Sequence, residues 1–427
     1  MSKPPKKTLQ SMLPGGPPEK SAPKSPDIAE VDIRKWISEN AHRLHGTTAA
    51  DSIEELSPIG DAIAEAVVVG LGETVRSGSE AIHMAHRAIR YLVEAQGFRV
   101  LAFQDDESVV AELDAYVRDG VGNLHDLMLN MWRPWQAVEV REALEWVRQY
   151  NIAHSSDQIH LLGLAPPAAR TEYYDEVLEI LGSNNAPQMA QVRALYDVIR
   201  TAHDVNEHVQ IAHGTHPGGS YSDRARQAQD LIAAAPTGDN SERAANLAEA
   251  IADYHGSSLA GDYPKEDGTA TVAESIVNYH QLTGREVIFW EGLAHTMVDK
   301  TVTPMDPPEN SAVGTKLYHR LGNNYVSLLI AFEHGEIHDE EFVPRPLSGT
   351  LDAQLTIPTM NQYVLDLTSP RSADIDEWLR VPHRIRIISG IYDPDHDQDH
   401  YADFALLDDM FAAIIRIGEI TPSKLLE

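Results

Sequence analysis

A chain of 427 residues with 42% hydrophobic and 23% charged content is ordinary for a globular protein and long enough to bury a large core. Its 65 Asp and Glu against 34 Lys and Arg leave a formal net charge of −31, which excludes nucleic acid and anionic membranes as natural partners and favours a small molecule. The absence of cysteine excludes disulfide and thiolate chemistry and suits a cytoplasmic protein.

Residues 1–26 read as a disordered tail. Prolines at 4, 5, 14, 17, 18, 23 and 26 alternate with lysines, and few apolar side chains are present to offset the cost of ordering them. No apolar run approaches the roughly 20 residues of a membrane helix, and the basic start precedes Pro/Gly-rich sequence rather than the apolar segment of a secretory signal. Asp27 to Leu44 has helical spacing. Val67 to Gly70 then reads as a strand, followed by a glycine-rich loop and a helix from Glu80 to Ala95 with Ile82, Ala85, Ile89, Leu92 and Val93 on one face.

Phe98 to Phe103 is a second strand, running into Gln104-Asp105-Asp106, so strand, helix and strand form a βαβ unit with both strand ends on one edge. Helices follow at 108–117 and 138–150, and Ile159 to Leu164 is a third strand. From about 170 to 261 the pattern is helical throughout, which predicts a helical insertion. Strands return at 286–290, 325–332, 363–367, 384–388 and 413–417. The fold class is α/β: a largely parallel central sheet flanked by helices, with a helical insertion, all in one domain spanning 27–427.

The stretch Val67-Val68-Val69-Gly70-Leu71-Gly72-Glu73-Thr74-Val75-Arg76-Ser77-Gly78-Ser79-Glu80 gathers polar groups where open α/β sheets place their ligands. Arg76 beside a helix N-terminus points to an anion. A structural ion pair of Arg76 with Glu73, Glu80 or Asp105 is the competing reading. Trp132 and Trp135 are candidates for a cleft wall or for core. Asp393 to His400 reads as a solvated acidic loop, lacking the Gly and Glu of a calcium loop. His213 and His216 lack a third ligand for zinc, and His83 and His86 read as an ordinary polar helix face. No metal site and no cofactor are expected.

The order of these segments resembles the erythromycin esterase family. Its hallmark, a strand ending in Gly-Glu, two residues, then His-Gly and Ser-Glu, stands here as Gly72-Glu73-Thr74-Val75-Arg76-Ser77-Gly78-Ser79-Glu80. Tyr91 to Phe98, Glu145 to Asn151, the strand with Trp290 and His295, Gly314 to Tyr325 and Phe411 to Pro422 are similar to further family segments. The resemblance implies hydrolysis of an ester or lactone in a small natural product, hence antibiotic modification or natural-product biosynthesis, without a metal.

The departures fall on the chemistry. The family's water-activating histidine falls on Arg76, a glutamate on Gln104, an arginine on Ala85, the first of two late histidines on Gly292, and an Arg-Asp pair on Gly268 and Thr269. A guanidinium cannot take a proton at working pH, so the standard histidine-base mechanism is not expected, and macrolide hydrolysis should be absent or very slow. Glu73 and His295 are the candidate catalytic groups. Arg76, Gln104, Asp105, Glu80, Glu291 and Trp135 are candidates for binding a substrate that carries an anionic group. Related acyl transfer, elimination or cyclisation is equally open, and a non-catalytic binding protein on the same scaffold is the alternative. Deleting residues 1–26 should leave the melting temperature unchanged; a drop of several degrees would show that the tail docks on the body.

Overall fold

A computed structural model describes residues 30–165, 169–258, 260, 268–300, 311–338, 341–388, 392–404 and 406–427; the tail expected at 1–26 lies outside them. The strands are β1 (His42–Arg43), β2 (Val68–Glu73), β3 (Val100–Asp106), β4 (His160–Ala165), β5 (Val287–Gly292), β6 (Tyr325–Ile337), β7 (Glu341–Val343), β8 (Tyr363–Asp366), β9 (His383–Arg386), β10 (Tyr401–Phe404) and β11 (Ala413–Ile420). One sheet runs in the order β1-β8-β11-β6-β2-β5-β3-β4, with β7 paired to β6. From β11 to β4 neighbours are parallel, and antiparallel pairing is confined to β7 and to the β8 and β1 edge.

Side chains alternate between the two faces, as a pleated strand requires. Val69 and Leu71 of β2, Leu101 and Phe103 of β3 and Ile288 and Trp290 of β5 join one core with helices Ser79–Glu94, Glu107–Asp119 and Val138–Ala153. Val68, Val100, Ala102, Val287 and Phe289 face the other way, onto helices Gly268–Thr283 and Val313–Leu321. Both faces are covered, which is the condition for a parallel sheet.

The expected βαβ unit of β2 and β3 stands, with both strand ends on one edge, and β5 lies between the two strands. Two sequence expectations change. The strand expected at 384–388 is β9, but it pairs with β10 in a separate two-stranded sheet. Asp393 to His400 is only partly solvated: Asp397 and His400 are buried, with Asp397 Oδ1 accepting from Tyr392 at 2.8 Å and from Arg386 at 3.3 Å.

Helices from Thr171–Ser183 to Ser241–Ser257 build a core of their own around Tyr174, Tyr196, Tyr221 and Ile251. At its centre the Tyr174 hydroxyl lies 3.0 Å from His203 Nε2 and 2.9 Å from His255 Nε2. His216 is taken up by Glu207 at 3.1 Å and stacks on Tyr221. On the first long helix His83 meets Glu142, whereas His86 is buried against Trp146 rather than lying on a polar face.

Burial holds several imidazoles neutral. His255 and His86 are pulled down to about 3, and His203 and His400 to about 4. In the unfolded chain these rings take protons below about pH 6.5, so acid favours unfolding by roughly 1.4 kcal/mol per pH unit per ring. Glu73 and Asp105, raised by burial to about 7 and about 6, act in the opposite sense over much of the same window but are outnumbered. The urea midpoint should therefore fall steadily from pH 6.5 to 4.5; a flat midpoint would show that the rings protonate without cost.

Candidate active site

Three neighbouring strands, β3, β5 and β2, deliver their C-terminal ends to one place. Glu73 ends β2, Glu291 and Gly292 end β5, and Gln104 and Asp105 lie near the end of β3. The register between β3 and β4 slips between Phe103 and Asp106, an irregularity of the kind that re-aims side chains near functional sites. Gly72 does not serve the loop turn that its motif suggests. It lies within β2, where a Cβ would stand 3.3 Å from the Leu293 backbone, so its bareness lets the short helix Leu293–Thr296 cross the strand.

Glu73 is buried, and among the described residues its Oε1 has no hydrogen-bond partner. Burial pushes its carboxyl up to about 7, against the opposing pull of the Arg76 charge and the Trp290 indole. Asp105 accepts from the Trp132 amide at 2.9 Å and from the Asp106 amide at 2.7 Å. Burial nevertheless lifts it to about 6.

Arg76 forms an ion pair with Glu291, whose own side chain is 3% exposed. The guanidinium lies 4.8 Å from the ring of Trp132 and 4.8 Å from that of Trp135. Trp135 packs in turn against Phe103 and Trp290 at ring distances of 5.2 Å, so it belongs to the core while its ring, like that of Trp132, lies against the Arg76 guanidinium. Burial lowers the Arg76 pKa to about 10 against the charges of Glu73 and Asp105; it stays a cation at neutral pH. Its Nη1 has no partner among the described residues.

His295 stands on the turn after β5. Burial, the Arg76 charge and His208 pull it down to about 3, leaving a neutral imidazole. Gln104 Oε1 is buried without a partner among the described residues. Glu80 is engaged elsewhere, accepting from the Thr421 amide at 2.6 Å and its hydroxyl at 2.9 Å.

Residues 421–426 form a strap behind this arrangement. The Ser79 amide donates to Thr421 O at 2.8 Å, the Ser423 amide to Ser77 O at 2.9 Å, and the Leu426 amide to Gln136 O at 2.8 Å. The strap thus holds both the loop that carries Arg76 and the turn that carries Trp132 and Trp135.

The pairing of Arg76 with Glu291, rather than with Glu73, Glu80 or Asp105, is not legible in the sequence, because it depends on β5 returning beside β2. The insertion also supplies groups with no local signal. His208 adds to the lowering of His295, and the charge of Asp105 helps burial push Tyr254 up to about 12.

The family model described as erythromycin esterase matches residues 93–420. Among solved structures, a Bacillus cereus protein superposes with a TM-score of 0.63 at 20% identity, covering 93% of this chain and 99% of that one. A succinoglycan biosynthesis protein gives 0.64 at 21% identity, covering 94% and 100%. A mutant of the erythromycin esterase EreC in its open conformation gives 0.55 at 14% identity, covering 91% and 99%. A search of the curated proteins returns no match. No helix among the described residues is long and apolar enough to cross a membrane.

Removing one partner of a buried ion pair leaves an uncompensated charge. Glu291→Gln should lower folding stability by about 3–5 kcal/mol, and adding Arg76→Met should recover part of that loss. Urea denaturation of the two variants checks this; a Glu291→Gln variant as stable as the parent would mean that Arg76 does not depend on Glu291.

Proposed function

The chain belongs to the erythromycin esterase family, and from that footing we propose an enzyme that cleaves an ester or lactone in a small natural-product-like molecule with Glu73, rather than an imidazole, as general base. The observation that carries this reading is the buried Glu73 Oε1, without a hydrogen-bond partner among the described residues, with its carboxyl held at about 7. A base is most effective when its pKa lies close to the working pH. Glu73 would take a proton from water as the water oxygen attacks the acyl carbon. Its protonated carboxyl would return that proton to the leaving oxygen as the acyl C–O bond breaks. Arg76 Nη1 would donate to the oxygen on which negative charge develops, or to an anionic group of the substrate.

The neutral His295 is assigned the second proton-handling role. At neutral pH it is an acceptor or hydrogen-bond donor rather than a standing acid. Gln104, Asp105 and Trp135 are assigned to the substrate wall. Glu291 acts through Arg76, and Glu80 through the strap. Acyl transfer, elimination or cyclisation would use the same base on a different acceptor.

Screening activated esters and lactones tests the reading. Glu73→Gln should reduce turnover by roughly 10²–10⁴-fold, the range for a general base. Because the carboxylate must be ionised, kcat/KM should fall about tenfold per pH unit below about 7 and level off above it. Turnover that survives Glu73→Gln with an unchanged pH profile would remove Glu73 as the base.

A further inference from the structure

Gly292 closes β5 with φ −63° and ψ 152°, a conformation open to every residue, so the backbone does not require glycine there. Space does. A Cβ added at Gly292 would stand 3.3 Å from Arg76 Nε, 3.4 Å from Nη2 and 3.8 Å from Cζ. The first side-chain atom would already press on the guanidinium, and a longer side chain in that direction would have to pass through it. The guanidinium's retreat is restricted by the indoles of Trp132 and Trp135, whose ring centres lie 4.8 Å away, and by Glu291 on a terminal nitrogen.

We propose that positions 76 and 292 form one unit that sets the chemistry of the pocket, with Gly292 as the positioning residue whose missing side chain gives Arg76 its place. A histidine at 292 and the observed Arg76 exclude each other. The imidazole would occupy the guanidinium's volume, beside Glu291 and the two indoles. The sequence departures at Arg76 and Gly292 are then coupled: a permanent cation stands at 76 and takes the space that a side chain at 292 would need. That cation can offer hydrogen bonds and positive charge but can accept no proton. This rests on packing alone and does not depend on the ester-cleaving reading.

A double-mutant cycle on the full chain tests it. Gly292→Ala should lower the thermal midpoint by several degrees in the parent and leave it nearly unchanged in an Arg76→Ala background. Equal losses in both backgrounds would overturn the proposal. A second measurement asks where a ring at 292 sits. In Arg76→Ala/Gly292→His the tryptophan emission should acquire a pH transition from imidazolium contact with Trp132 and Trp135, absent from Arg76→Ala alone. In Gly292→His with Arg76 retained, the midpoint should fall further than in Gly292→Ala. A double variant without the emission transition, or a Gly292→His variant as stable as the parent, would show that position 292 does not share the guanidinium's space. Coupling with no ester turnover in the parent would leave this inference standing while the reading of function falls.

Discussion

The site is organised by a cation that is largely withdrawn from water. Bringing a guanidinium to the end of a parallel sheet costs several kcal/mol unless its charge and its donors are met. Here Glu291 meets the charge, and the faces are covered by Trp132 and Trp135. Those requirements reach far into the fold. β5 must lie beside β2 for Glu291 to arrive, the turn before helix Val138–Ala153 must present two indoles, and Asp105 must hold the Trp132 amide. The aromatic wall is therefore part of the electrostatics, since a cation over an indole face is attracted by the ring's quadrupole.

Much of the scaffold is readable from local pattern. The β-branched runs at 67–69 and 287–288, the period of Ile82, Ala85, Ile89 and Leu92, and the helical stretch after 170 each carry their own signal, because burial on one face imposes a period on the chain. The departure at Arg76 is likewise visible, because an arginine where proton abstraction is expected contradicts the chemistry of its own motif. Strand order is not readable. Nothing local to Val287–Gly292 says that it will separate β2 from β3, and nothing in His383–Arg386 says that it will leave the main sheet. Glu291 could be placed near the site but not paired, and the isolation of Glu80 by Thr421 depends on a contact across 341 positions.

The helices between 171 and 257 add a second layer. They carry their own core, yet His208 bears electrostatically on His295, and Asp105 on Tyr254. The electrostatics of the site thus depend partly on side chains whose positions follow from the packing of the insertion, while Glu73, Asp105 and Glu291 follow from the sheet. Variation in the insertion can alter what reaches the site without disturbing the sheet-borne charges, a division of labour common where loops and insertions sit on a rigid scaffold.

The strap at 421–426 has a consequence for the order of events during synthesis. β2 emerges early, but its sheet neighbours β5 and β6 begin at 287 and 325, and the backing for the Arg76 loop and the Trp132–Trp135 turn comes only with residues 421–426. Domains that need such distant contacts close them late. A ribosome stalled just before those residues would hold a chain with much of its sheet made and its charged centre still without that backing. The centre gains its backing only once residues 421–426 have emerged.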